Sequence, residues 1–114
     1  MRHHKNKKFG KGTDHRRKLL RTLASSAILY ERIETTYVNA RSVKPYIEKL
    51  ITRAKTDSLH SRRHLMSKLT RNAANKAMEV MGPKYAARKG GYTRLTKLTN
   101  PASGKSKAVL EFVE

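Results

Sequence analysis

Residues 31–54 read ERIETTYVNARSVKPYIEKLITRA, and the spacing of their side chains changes part-way along. In the first part Ile33, Thr35 and Tyr37 fall on one side and Arg32, Glu34 and Thr36 on the other. This is the two-residue alternation of a strand rich in β-branched residues. Asn39 is then placed to cap a helix, because Val43, Tyr46, Ile47, Leu50, Ile51 and Ala54 recur at helical spacing. Pro45 lacks an amide proton, so it is expected either to kink that helix or to mark its real first turn. The class of the fold follows from what lies on either side of this switch.

Upstream, Leu19, Leu20, Leu23, Ala24, Ala27 and Ile28 form the stripe of a core-facing helix, with Asp14 as its expected cap. Arg16, Arg17, Lys18 and Arg21 crowd its first turns, where the helix dipole prefers anions. A local preference overridden in this way suggests that the charges serve an anion outside the chain. Residues 1–13 show no period and hold Gly10 and Gly12, so they read as an extended tail. The first 21 residues carry nine Lys and Arg, three His and one acid. Such a segment cannot bury itself, because its charges would lose hydration with nothing local to compensate them.

Downstream, Thr56-Asp57-Ser58 can stop and recap the chain, giving a third helix through Leu65, Met66 and Leu69. Asn72 is the expected cap of a fourth, which carries Ala73, Ala74, Ala77, Met78 and Met81. Gly82-Pro83 reads as its clean end, a C-cap glycine followed by a residue that cannot continue the helix. PKYAAR (83–88) can add one more turn before Gly90-Gly91. YTRLTKL (92–98) and KAVLEFV (107–113) are strand-like and are separated by the turn residues TNPASGKS (99–106). The fold class is therefore α+β, a two-layer domain. Its order is helix, strand, three or four helices, then a β-hairpin that completes a three-stranded sheet, with an extended basic N-terminal tail. Residues 1–13 form the tail and residues 14–114 a single globular domain.

Composition limits what such a domain can do. With 37% hydrophobic residues in 114, there is material for a small core but not for a deep apolar cleft as well. The formal charge of +19, from 27 basic and 8 acidic residues, makes a polyanion the natural counterweight. Nucleic acid is the first candidate and an anionic membrane surface the second. The absence of Cys excludes disulfides and Cys-based zinc sites. No apolar run is long enough for a membrane span or a secretory signal. HRRKLLRTLASSAILY (15–30) has the composition of a mitochondrial transit peptide, but its removal would strip the domain of its most apolar helix.

Several constellations resemble catalytic or metal sites and fail on chemistry. His60 and His64 have the spacing of zinc ligands, yet Arg62 and Arg63 would set two cations beside a dication. That segment reads as a solvated or phosphate-facing helix surface. Gly104-Lys105-Ser106 lacks the earlier glycine of a phosphate-binding loop, since position 99 is Thr, and a strand follows it where a helix is needed. Asp57, Ser58 and His60 read as a helix cap. No catalytic residues, metal site or cofactor are expected. Gly90-Gly91-Tyr92-Thr93-Arg94, flanked by Lys89, reads either as a phosphate contact, in which the glycines let the backbone approach and Tyr92 offers a flat face to stack or hydrogen-bond, or simply as a helix C-cap leading into a strand. Basic residues dispersed over the body (Arg53, Lys55, Arg62, Arg63, Lys68, Arg71, Lys76 and Arg88) imply that several faces meet the polyanion. A reader of one DNA groove would concentrate them on one helix.

The opening MRH, the FG followed by HRR and RTL, then TTY, EKLITRAKTDS with RR soon after, and GPKYAARKGGYTR stand in this order. Together they resemble the bacterial-type large-subunit ribosomal protein L17 family, from Met1 to about Leu95, and the closing strand fits too. The resemblance implies a small α+β domain with a basic N-terminal extension, bound to 23S-type rRNA near the polypeptide exit tunnel. Carried over by position, the RNA-facing residues would be Arg2, His3, His4, Lys5, Lys8, His15, Arg16, Arg21, Lys55, Arg62, Arg63, Arg88, Gly91, Tyr92 and Arg94. His4 stands where Arg or Lys is usual, Thr22 where Asn is usual, and the segment around Asn100-Pro101 lacks the family's acidic-Gly turn. The implied partners are large-subunit rRNA and neighbouring large-subunit ribosomal proteins, with one copy per ribosome, no membrane and no small-molecule substrate. The implied location is cytoplasmic, with an organellar ribosome as the alternative. The rival function is a basic DNA-binding architectural protein.

Overall fold

The central strand of the sheet is the last in the chain, and its sequence explains the position. KAVLEF (β3, Lys107–Phe112) buries Ala108, Val109 and Leu110 in succession, as a strand covered on both faces does. It pairs antiparallel with RIETT (β1, Arg32–Thr36) on one side and TRLTKL (β2, Thr93–Leu98) on the other, giving the order β1-β3-β2. The computed structural model describes residues 13–98 and 106–114. Ile33, Leu110 and Leu95 stand abreast on the face turned to the helices. Arg32, Glu111 and Arg94 stand abreast on the opposite face. The α+β reading and the closing antiparallel pair agree with this architecture.

The helices form the second layer. α1 (Thr13–Tyr30) buries Ala24, Ser25, Ala27 and Ile28, so the segment with transit-peptide composition is part of the core. α2 (Tyr37–Ala54) buries Ala40, Val43, Ile47, Leu50, Ile51 and Ala54 along one stripe and packs on all three strands. α3 (Leu59–Lys68) buries Ser61 and Leu65, and α4 (Arg71–Lys76) buries Ala73 and Ala74. A π-helical turn over Ala77–Met81 follows, and then a single turn, α5, over Gly82–Lys84.

Most differences from the sequence reading lie at helix ends. Thr13 already belongs to α1, and Asp14 lies within its first turn. Tyr37 starts α2 instead of ending β1, because Thr36 is the cap: its hydroxyl accepts the Asn39 amide at 3.3 Å. Pro45 lies well inside α2 and does not mark its start. Ser58 caps α3 as expected, accepting the Ser61 amide at 3.1 Å. Asn72 sits inside α4, whose boundary residue is Thr70. Thr70 caps nothing with its side chain, while its own amide donates to Ser25 Oγ at 3.0 Å.

Gly82 is the most instructive correction. It is not a left-handed C-cap; its φ of −55° and ψ of −56° are helical. A Cβ there would stand 2.6 Å from the Ala54 carbonyl oxygen. The glycine lets the end of α2 and the π-helical turn touch backbone to backbone. In that turn Gly82 donates its amide to Ala77 O, five residues back, which brings Ala77, Met78 and Met81 all into the core.

Candidate nucleic-acid interface

The segment joining α5 to β2 is tied to α2 by one acid that the sequence reading passed over. Glu48 accepts the Tyr92 amide at 3.1 Å, the Thr93 amide at 2.9 Å and the Thr93 hydroxyl at 2.6 Å. Lys44 Nζ stands 3.5 Å from the same carboxylate, one helical turn away. Burial alone would raise the Glu48 carboxyl, but the bonds from Thr93 and Tyr92 and the charge of Lys44 outweigh it and hold it below its ordinary 4.5. Lys55 completes the fastening. Its ammonium donates to Arg88 O at 2.5 Å and to Tyr92 Oη at 3.1 Å.

Tyr92 is fully buried, against the expectation of a stacking face offered to RNA. Its ring lies 5.3 Å from that of Tyr85, tilted by 52°, and its hydroxyl pairs with Thr52 Oγ1 at 3.1 Å. Tyr85 stacks on Phe112, and its hydroxyl donates to Val113 O. Only Gly91 of the glycine pair needs a glycine for its conformation, at φ +62°. Arg88 Nη1 donates to Gly91 O at 3.2 Å and closes this short turn. The resulting platform exposes Arg88, Lys89 and Gly91, with Arg94 exposed at the start of β2.

The other expected residues divide into three groups. Arg2, His3, His4, Lys5 and Lys8 lie outside the described residues. His15, Arg63, Arg88 and Arg94 are exposed, and Arg16 is half-buried. Arg21, Lys55 and Arg62 have structural tasks as well. Arg21 donates to Leu69 O at 3.1 Å, Lys55 holds the turn, and Arg62 stands 3.5 Å from Asp57. The structure gathers Lys55, Arg88, Gly91 and Tyr92 at one place, while Arg62 and Arg63 lie on α3 and Arg94 on the sheet. Glu48 and Thr52 are absent from the sequence reading because nothing local marks them; a lone acid at mid-helix in so cationic a chain was the available sign.

Among the described residues, four acids, Glu31, Glu48, Asp57 and Glu111, occupy six cations in ion pairs. Glu31, the one non-glycine residue with positive φ among those described, is held below its ordinary value, chiefly by its bond to Lys76 at 2.9 Å. Lys49, Arg53, Arg63 and Lys89 have no carboxylate within 4 Å among the described residues. These cations without acid partners leave a net positive field over the surface of the described residues.

The family model described as Ribosomal protein L17 matches residues 19–113. The chain belongs to the ribosomal protein L17 family. Among L17 relatives, the large ribosomal subunit protein bL17 of Hydrogenobaculum sp. is 42% identical, with the whole of both chains covered. Its namesake in Nautilia profundicola is 41% identical over 99% of this chain and 98% of its own length. That of Gemmatimonas aurantiaca is 46% identical over 85% of this chain and 84% of its own. Membership of the L17 family makes the chain a ribosomal protein and not an enzyme. Among the described residues no helix is long and apolar enough to cross a membrane.

Proposed function

We propose that this chain, a large-subunit protein by family, binds and stabilises 23S-type rRNA near the polypeptide exit tunnel. In this reading it is a structural constituent of the cytoplasmic ribosome, present in one copy and flanked by other large-subunit proteins. Residues 1–12 add basic side chains to the RNA contact, and the globular domain that begins with α1 docks beside them. The observation that carries the reading is the set of cations that have no acid partner among the described residues, placed on α1, α2, α3 and the turn at Arg88 and Lys89. Phosphate contacts of this kind position a protein, while the shape of the folded RNA selects the site. Tyr92 supports the platform from within and Lys55 fastens it, so the direct contacts fall to Arg88, Arg94, Arg63 and the residues of α1.

The test is sedimentation of the full chain with large subunits through a high-salt cushion, beside a version lacking residues 1–12. Full occupancy is expected for the whole chain, with loss of salt resistance in the shortened one. Equal occupancy and salt resistance would remove the tail from the reading. With about eight phosphates neutralised, affinity for free 23S rRNA should fall on the order of 10³–10⁵ between roughly 50 and 200 mM salt. Duplex DNA competing as well as folded rRNA would favour the DNA-binding alternative.

A further inference from the structure

Lys49 and Arg53 stand four residues apart on α2, and His60, His64 and Lys68 repeat that step along α3. A four-residue step advances about 6 Å along a helix, so each series is a row of basic side chains about one turn apart. Lys49, Arg53 and His64 line a single open groove, together with Thr52, Tyr92 and Gly90. A Cβ built on Gly90 would meet nothing within 4 Å, so the groove is open beside that backbone. The one acid in the wall, Glu48, is already engaged by Tyr92, Thr93 and Lys44. Among the described residues no carboxylate lies within 4 Å of Lys49, Arg53, His60, His64 or Lys68.

We propose that this groove seats a phosphodiester strand of folded RNA, with phosphates held by Lys49 and Arg53 from α2 and by His64 from α3. The inference rests on the RNA-binding reading and deepens it, since none of these residues belongs to the set implied by family resemblance. The steric and electrostatic features agree. The groove is concave and open at the glycine, and its one acid, Glu48, is already engaged by Tyr92, Thr93 and Lys44. The field inside it is visible at His64, which is pushed below its ordinary 6.5 by burial and then by Arg53, Lys68 and His60. Lys49 and Glu48 line the same groove from α2, and the Glu48 carboxylate is bonded to backbone amides. A phosphate in the groove would oppose this field and raise the affinity of His64 for its proton. By linkage, RNA would then bind more tightly as pH falls through the histidine range.

The test uses the full chain and folded, protein-free 23S rRNA, with binding measured over a salt series and a pH series. The double variant Lys49→Gln/Arg53→Gln should lower the slope of log affinity against log salt by about 1.4–1.8, the share of two phosphate contacts. In the pH series, wild type should gain more affinity than His64→Gln as pH falls from about 8 to about 6. Circular dichroism melting establishes that both variants are folded, which their positions on an open groove favour. Were wild type to show no salt-dependent binding at all, the RNA-binding reading would fail and this inference with it. If wild type binds and the double variant keeps the same slope, the groove alone is overturned; an acidic protein segment as occupant would give that result. An equal pH response in wild type and His64→Gln would also overturn it, because the phosphate would then lie away from His64.

Discussion

Glu48 shows how one residue can decide what its neighbours present. Its carboxylate receives three hydrogen bonds from Tyr92 and Thr93, and these fix the start of β2 against α2. Glu48→Gln keeps the shape, removes the charge and turns one acceptor into a donor facing other donors. Loss of about 1.5–3 kcal/mol is expected, measured by urea unfolding at neutral pH. Because the folded state holds Glu48 below its ordinary 4.5, its contribution is fully present above that value. The contribution is lost as pH falls further, through the lower folded value, and the variant should show a flatter acid limb. Gly82 is the other decisive residue. Gly82→Ala would improve helix propensity by about 1 kcal/mol, yet its methyl would stand 2.6 Å from a backbone oxygen. A net destabilisation of about 1–3 kcal/mol is expected by thermal melting, while Gly90→Ala, facing open space, should change little. A stabilised Gly82→Ala would mean that Gly82 is a propensity defect and not a packing contact.

At the scale of elements, the interiors of helices and strands were legible and their ends were not. The stripe of α2 and the alternation of β1 follow from period, because burial of one face repeats with the backbone geometry. Caps depend on single hydrogen bonds, and Thr36 and Asn39 are equally good candidates until the backbone is placed. Thr36→Ala and Ser58→Ala should each cost about 1 kcal/mol in chemical denaturation. Asn72→Ala, at an exposed position inside α4, should be neutral or stabilising by a few tenths of a kcal/mol. A cost at Asn72 matching that at Ser58 would restore it as a cap. The π-helical turn after α4 has no marker in the sequence, since Ala77, Met78 and Met81 read equally well as an ordinary helical stripe.

Across the whole molecule, the balance of charge governs behaviour more than any one pair. The ion pairs around Glu111, at 3.7 Å to both Arg32 and Arg94, are exposed and contribute little. A formal charge of +19 then leaves net repulsion in the isolated chain. Salt screens such repulsion over a Debye length of about 10 Å at roughly 0.1 M. The melting temperature of the free protein should therefore rise as sodium chloride increases from about 20 to about 200 mM, read by calorimetry. A fall would show that the attractive pairs outweigh the repulsion.

The amino-acid sequence was enough for the α+β class, the order of the elements, the stripe residues of α1 and α2, and the large excess of positive charge. Each of these depends on period or on summed charge, which survive without coordinates. Tertiary structure decided which way Tyr92 faces, which acid secures it, why Gly82 is a glycine, and which cations meet across α2 and α3. These depend on contacts between residues tens of positions apart, such as Glu48 with Thr93 and Ala54 with Gly82. Local pattern cannot supply them, because a side chain becomes a partner, a plug or an exposed charge only once another segment has been packed beside it.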